Sequence, residues 1–258
     1  MSPETEALAR ELLTLGLAGV TTNSARANRV ALQRMREGDS FYTFGIRILG
    51  AAWRRRGPGL SELAREMGVA CGLPNPEQFL DGPGFINPVH AAHSWLQGLA
   101  LLDATARAGG CISFGTGHPG AMVTLYRGLA ARVSRLGGLV VPPAVGTPAA
   151  VDGWIDAWDG VAFLSDGCGA LHSHATSILD GTLALAPRVD LFVGDHGTAG
   201  SAINAQIPCI AFMDTNDPAL MAARHLERTR LLVIPAYDNL PNGRTDRILD
   251  ALPRPDYC

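Results

Sequence analysis

The sequence contains no lysine, and all 21 of its basic residues are arginine. Chemistries that lean on a lysine are excluded by their usual routes: the phosphate-gripping loop of P-loop NTPases, the strand lysine of protein kinases, and the Schiff base of pyridoxal phosphate enzymes or class I aldolases. Charge is sparse, at 17% of residues, with a formal net charge of −3. Without an excess of positive charge the chain has little to offer a phosphate backbone, so no nucleic-acid partner is expected. The five cysteines, Cys71, Cys111, Cys168, Cys209 and Cys258, are odd in number, widely spaced and form no CxxC pair. That pattern fits a reduced compartment rather than a disulfide framework. No 18 apolar residues run unbroken, so no membrane span is expected. The leading MSPETEALARELL has neither a basic n-region nor an apolar core, which argues against a signal peptide and for a cytoplasmic location.

Several catalytic signatures are missing as well. There is no CxxxxxR, DxDx[TV], GxSxG or HExxH. Phosphocysteine and aspartyl-phosphate mechanisms, a serine elbow and a zincin site are thereby excluded.

What is present is a chain of 258 residues, 47% hydrophobic, with 30 glycines and 17 prolines. A chain of this length can bury roughly three quarters of its unfolded surface in one large α/β domain or a medium domain with a helical extension. Residues 1–105 repeat apolar positions three and four apart, as in ETEALARELLTLGL and VHAAHSWLQGLALLDATARA, which predicts a helical N-terminal region. Ser61 and Asn87, the latter before Pro88, read as helix starts, and the stretch from Leu73 to Pro88 reads as loops and turns. From Gly110 short β-rich runs (CISFG, GGLVVPP, VAFLS, DLFVG, CIAFM, LLVIPAY) alternate with helical segments, among them DPALMAARHLE. Residues 106–258 are therefore expected to form a doubly wound, mostly parallel, Rossmann-like α/β sheet of about six strands, with the N-terminal helices as a cap in one compact unit.

In such a sheet ligands bind beyond the carboxyl ends of strands. Gly115, Thr116, Gly117, His118, Pro119 and Gly120 follow CISF and precede a helix, so their amides could receive a phosphate, although an ordinary tight turn would use the same glycines. Gly115, Gly117 and Gly120 have dinucleotide-like spacing, but no acidic residue follows the next strand, which favours a phosphoester over NAD. Asp166, His172 and His174 follow VAFLS and could ligate one divalent ion, with one histidine alternatively serving as a general acid. Asp195 and His196, followed by Gly197, Thr198, Gly200 and Ser201, form the most site-like segment, where Asp195 could also cap the helix. Asp214 sits at the end of CIAFM as a functional candidate. Asp217, before Pro218, reads as a helix cap, and Asp238 with Asn239 as loop chemistry.

Taken together, ISFGTGHPGAMVTLYRGLA, VAFLSDGCGALHSH and LFVGDHGTAGSAINAQIPCIAFMDTNDPAL resemble the blocks of a bacterial, actinobacterial-type protein family named simply phosphatase. TTNSARANRVALQRMREGDSFYTFGI and GPGFINP are similar to its N-terminal segments, so the likeness covers almost the whole chain. The third block is also similar to the nucleotide-sugar-binding half of two-domain glycosyltransferases. The resemblance implies hydrolysis of a phosphate monoester of a small metabolite, a sugar or nucleoside phosphate, with help from a divalent metal ion (Mg, Mn, Co or Zn). It draws attention to Arg26, Asn28 and Arg29, where Arg26 could clamp a phosphate.

On this reading Thr116, Gly117, His118, Gly120, Thr198, Gly200, Arg26 and Asn28 bind the phosphorylated substrate. Asp166, His172, His174, Asp195 and Asp214 hold the metal, and Asp195, His196, Asp166 and His174 carry catalysis. The competing readings are a sugar-phosphate isomerase or nucleotide-sugar-binding enzyme, and a non-catalytic phosphometabolite sensor. A homo-oligomer is left open.

Overall fold

Apolar spacing in the first third becomes helices with local stop signals. Ser2 caps Pro3–Leu15 by accepting the Thr5 amide, and Gly16 ends that helix in the left-handed region at φ 78°. Helices Ala25–Glu37, Ala51–Arg56 and Leu60–Ala70 follow, and Pro88–Arg107 is capped by Asn87, whose Oδ1 accepts the Val89 and His90 amides. Ser61 does not start its helix: the helix begins at Leu60 with Gly59 at the cap, placing Ser61 inside the first turn. The irregular stretch before Pro88 holds a short 3₁₀ turn, Pro76–Leu80, and strand β2 (Phe85–Ile86), which pairs antiparallel with β1 (Gly19–Val20).

The computed structural model describes residues 1–149, 153–186, 188–224, 230–241 and 243–254. Cys258 and residues 225–227 of the expected DPALMAARHLE helix lie outside the described residues.

The second part is one sheet of eight strands: β3 (Cys111–Gly115), β4 (Leu139–Val140), β5 (Trp154–Trp158), β6 (Val161–Ser165), β7 (Ala170–Leu171), β8 (Leu191–Gly194), β9 (Cys209–Met213) and β10 (Leu231–Pro235). Six of them run in the order β10-β9-β8-β3-β6-β5. The pairs from β10 to β6 are parallel, β4 adds to β3 in parallel, and β5 and β7 pair antiparallel with β6. The fold is thus the mostly parallel α/β sheet that the alternation of runs implies.

Helices Pro88–Arg107 and Pro119–Arg135 cover one face, where Trp95, Leu99, Leu102 and Leu129 meet Val193, Ile210, Phe212 and Ile234. Helices His196–Asn204 and Pro218–Arg224 pack on β8–β10. Right-handed crossovers whose winding direction reverses put them on the other face. One continuous core runs from Leu8 in the first helix to Leu252 near the last described residue. The N-terminal helices Ala25–Glu37 and Leu60–Ala70 lie against Pro218–Arg224, which brings them over the carboxyl ends of the strands. Among the described residues no helix is long and apolar enough to cross a membrane.

Candidate active site

The chain leaves β3 for β4 and β6 on one side, then returns to lay β8, β9 and β10 on the other. That reversal opens a crevice between the carboxyl ends of β3 and β8, the place where such sheets bind ligands. Each strand ending there delivers polar groups: β3 gives Thr116–His118, β8 gives Asp195 and His196, β9 gives Asp214–Asp217, and β10 leads to Asp238.

Asp195 ties the two sides of the crevice together. Its carboxylate accepts Thr116 Oγ1 at 2.7 Å, the Gly117 amide at 2.6 Å and Tyr126 Oη at 3.0 Å, with His196 Nδ1 at 2.9 Å. Burial alone would raise its pKa; the hydrogen bond and charge of His196 together with the Thr116 hydroxyl overcome that and hold it at about 2. His196 takes a left-handed backbone at φ 46°, uncommon for a residue with a Cβ, which aims its ring into the crevice. There Nε2 lies 3.7 Å from Asp217 Oδ1, and Nδ1 lies 3.9 Å from Asp238 Oδ2. Burial opposes a charged imidazole, yet Asp217, Asp195 and Asp238 together raise its pKa to about 10.

The acidic side is crowded. Asp195, Asp214, Asp217 and Asp238 are all buried. Asp214 accepts Asn23 Nδ2 at 2.7 Å and the Thr215 amide at 2.6 Å, and Asp217 accepts the Asp214 amide at 2.9 Å. Burial first, then the neighbouring carboxylates, push Asp214 well above the usual range, and Asp217 is raised by burial and Asp238 against the pull of His196. Asp238 Oδ2 is buried without a hydrogen-bond partner, 3.3 Å from His118 Nδ1, and Asn28 Nδ2 is likewise buried and unpartnered while its Oδ1 accepts Thr215 Oγ1. Unsatisfied groups of this kind are rare in native interiors and point to something that is bound there.

Histidines close the other side. His172 stacks on His118 with ring centroids 4.2 Å apart, and His172 Nε2 meets His174 Nε2 at 3.0 Å. His174 Nδ1 lies 2.6 Å from the Phe41 carbonyl oxygen, which can only accept, so that nitrogen carries a proton. Burial, then neighbouring imidazoles, lower His174 to about 2 and His172 to about 4, so both rings are neutral. With Nδ1 of His174 protonated, its Nε2 accepts from His172 Nε2, which leaves His172 Nδ1 with a free lone pair. Among the described residues two groups bring ligand atoms within 4.8 Å of one another: His118, His172 and His196, and His196, Asp217 and Asp238. Nitrogen and carboxylate donors together suit a divalent first-row metal.

The structure gathers His118, His172, His174, Asp195, His196 and Asp214 from the sequence reading into this crevice, in surroundings that differ from residue to residue. Both nitrogens of His174 are engaged, with the Phe41 carbonyl and with His172 Nε2, which leaves neither open to a metal ion in this arrangement. Asp166 is exposed: β7 turns the chain back antiparallel, so Asp166 lies in a hairpin turn accepting the Cys168 and Gly169 amides, and those bonds lower its pKa. It belongs to neither donor group. The same hairpin returns Ser173 to donate its amide to the Gly117 carbonyl, which sets His172 over His118.

The amides expected to face phosphate are mostly used internally. Thr116 N donates to Ala162 O, Gly117 N to Asp195 and His118 N to Thr116 Oγ1, while Gly120 is exposed at the start of its helix. Thr198 Oγ1 donates to the Asp195 carbonyl, and a Cβ at Gly197 or Gly200 would run into the His174 or Phe44 carbonyl. Those glycines admit neighbouring chain. Arg26 and Arg29 are exposed, and Asn28 alone of that helix group reaches the cluster. Asp217, Asp238, Asn23, Tyr126 and Phe41 belong to the site although the sequence reading gave them other roles or none. Asp217 and Asp238 carried the one available signal, a carboxylate just past a strand end.

Comparison with known proteins identifies the family. The family model described as Phosphatase matches residues 3–245. A phosphatase of Streptomyces coelicolor is 28% identical over 250 residues, covering 94% of this chain and 92% of that protein. No solved structure matches the chain significantly.

Proposed function

Because the chain belongs to the Phosphatase family, we propose that it is a metal-assisted phosphoric monoester hydrolase whose substrate is a small phosphorylated metabolite. The observation that carries this reading is the buried set of four carboxylates, Asp195, Asp214, Asp217 and Asp238, facing His118, His172 and His196 with Asp238 Oδ2 unsatisfied. So many carboxylates in a low-dielectric crevice repel one another beyond what one charged imidazole offsets, and a divalent ion would supply the further positive charge. His196, Asp217 and Asp238 would hold that ion once it displaces the proton these carboxylates keep on His196, with the free Nδ1 of His172 as a further donor. Mixed nitrogen and oxygen ligands favour Mn, Co or Zn over Mg. When bound, the ion would polarise a phosphoryl oxygen and lower the pKa of a water molecule.

The remaining steps belong to the chain. Asp195 keeps His196 oriented through the 2.9 Å bond to Nδ1 and locks the β3 turn against β8. The Pro119–Arg135 helix begins just after His118, which turns the positive end of its dipole toward the crevice, and Gly120 is exposed in its first turn. Asn28 Nδ2 is a buried donor ready for a substrate or water oxygen. His118, whose side chain keeps 21% of its exposure, is the ring placed to pass a proton to the leaving oxygen.

The test is inorganic phosphate release from sugar phosphates, nucleoside monophosphates and an aryl phosphate, with EDTA and with Mg²⁺, Mn²⁺, Co²⁺ or Zn²⁺ restored. Release that EDTA stops and one metal rescues, and that Asp238→Asn abolishes in folded protein, is the expected result. EDTA-insensitive release would remove the metal from the proposal. Silence of folded, metal-supplied protein across the panel would overturn hydrolysis in favour of isomerisation or sensing.

A further inference from the structure

The histidine side of the crevice opens into a cleft of about 520 Å³, lined by Ser40, Phe41, His172, Ser173, Thr176 and Ser177 among others. Its size falls in the range of small-molecule sites. Among the described residues no aspartate, glutamate, arginine, asparagine or glutamine lines it. The buried acidic cluster lies behind the two lining histidines, His172 and His174. A second anionic group on a ligand would find no arginine among these lining residues. A nucleobase would find no amide or carboxylate to read its edge.

The lining offers hydroxyls and one aromatic face. Ser177 Oγ is buried and has no hydrogen-bond partner. Phe41 is 47% exposed, and a single exposed aromatic residue would by itself mean little. Phe41, however, is fixed. Its amide donates to Asp39 Oδ1 at 3.0 Å, its carbonyl holds His174, and its ring stacks on His174 with centroids 3.6 Å apart and planes 18° apart. The turn that follows is set by left-handed Phe44 and Gly45, at φ 52° and 62°, and a Cβ at Gly45 would collide with Thr176 Cγ2, 2.6 Å away. A rigid aromatic ring at the mouth of a hydroxyl-lined cleft matches a sugar, which presents a C–H face to the ring and hydroxyls to the walls.

We propose that this cleft binds the uncharged sugar portion of a sugar monophosphate, with Phe41 as the stacking platform that sets specificity and Ser177 as a hydroxyl contact. The proposal rests on the phosphatase reading for the fate of the phosphoryl group, which faces the carboxylate and histidine cluster while the sugar occupies the cleft.

The experiment compares kcat/KM for hexose and pentose monophosphates with that for ethyl phosphate, a phospho-acid, a sugar bisphosphate and nucleoside 5′-monophosphates, using the metal-supplied full chain. The uncharged sugar monophosphates should lead. The ratio of hexose phosphate to ethyl phosphate should drop about tenfold in Phe41→Ala through KM, as loss of one aromatic stacking contact implies. Phe41→Trp should restore the ratio, and Ser177→Ala should lower it by a smaller factor. Preference for the phospho-acid, the bisphosphate or a nucleotide would overturn the proposal, as would a ratio untouched by Phe41→Ala. Calorimetry with the hexose phosphate separates the two readings. Binding that weakens in Phe41→Ala without any turnover leaves the cleft standing and sinks hydrolysis, whereas turnover of ethyl phosphate without sugar preference does the reverse.

Discussion

Replacing Gly117 by alanine adds one methyl group where β3 and the returning hairpin touch. The new Cβ would overlap the Ser173 carbonyl oxygen outright and lie 2.9 Å from His196 Cβ and 3.3 Å from Asp195 Oδ1. The first neighbour is backbone, and the Ser173 amide is itself bonded to the Gly117 carbonyl at 2.9 Å, so no flexible side-chain end can swing away. Restoring ordinary contact requires a shift of about 1 Å between the two segments. Overpacking of this kind costs about 3 kcal/mol, at the upper end of its usual range, and lowers Tm by roughly 6–12 °C in a domain of this size. The same shift moves His172 off His118 and disturbs the 2.6 Å bond from the Gly117 amide to Asp195, so kcat/KM should fall by at least about 10²-fold, the usual penalty for misplacement on that scale. Urea unfolding and phosphate release on the same preparation measure both effects. An alanine variant with full turnover would refute the claim that the Gly117–Ser173 apposition positions the histidines, whatever its stability.

The other predictions concern the metal, the core and acid stability. Saturating Mn²⁺ or Zn²⁺ should raise stability by about 2.7 kcal/mol at a hundredfold excess over Kd, and Asp238→Asn should erase that gain; a variant stabilised as much as the wild type would remove Asp238 from the ligand set. Arg132 Nε and Nη2 each lie 2.7 Å from Asp103 in a buried bidentate pair, so Asp103→Asn should cost about 3 kcal/mol in urea unfolding by stranding the guanidinium. A loss under about 1 kcal/mol would show the arginine finding water or another partner. The Cys111 amide and then Arg188 hold the Asp190 carboxyl below the usual carboxylate range. Its stabilising share is complete above the unfolded pKa and disappears as pH falls through the lower folded value, so Asp190→Asn should flatten the acid limb of stability against pH. An unchanged limb would assign that slope to other groups.

The parallel strands were legible because strands buried on both faces read as unbroken apolar runs, and CISFG, DLFVG, CIAFM and LLVIP all became strands of the sheet. The two-residue strand β7 had no such pattern. Its pairing with β6 comes from tertiary contact, and with it went the direction of Asp166, which a strand-then-helix reading aims at the crevice and the hairpin aims at solvent. Asp217 and Asp238 show a second limit. Locally each looks like a cap or loop carboxylate, and each becomes part of the cluster only because N-terminal segments carrying Asn23, Asn28 and Phe44 fold over the strand ends and exclude water. Sequence periodicity reports which face of an element is covered, and says nothing about what covers the end of a strand. The glycines follow the same logic. Gly117, Gly197 and Gly200 signal close backbone approach, which is as true of a neighbouring chain segment as of a phosphate. At these three positions the approaching atoms are the carbonyls of Ser173, His174 and Phe44, so the glycines build the crevice by letting its walls meet.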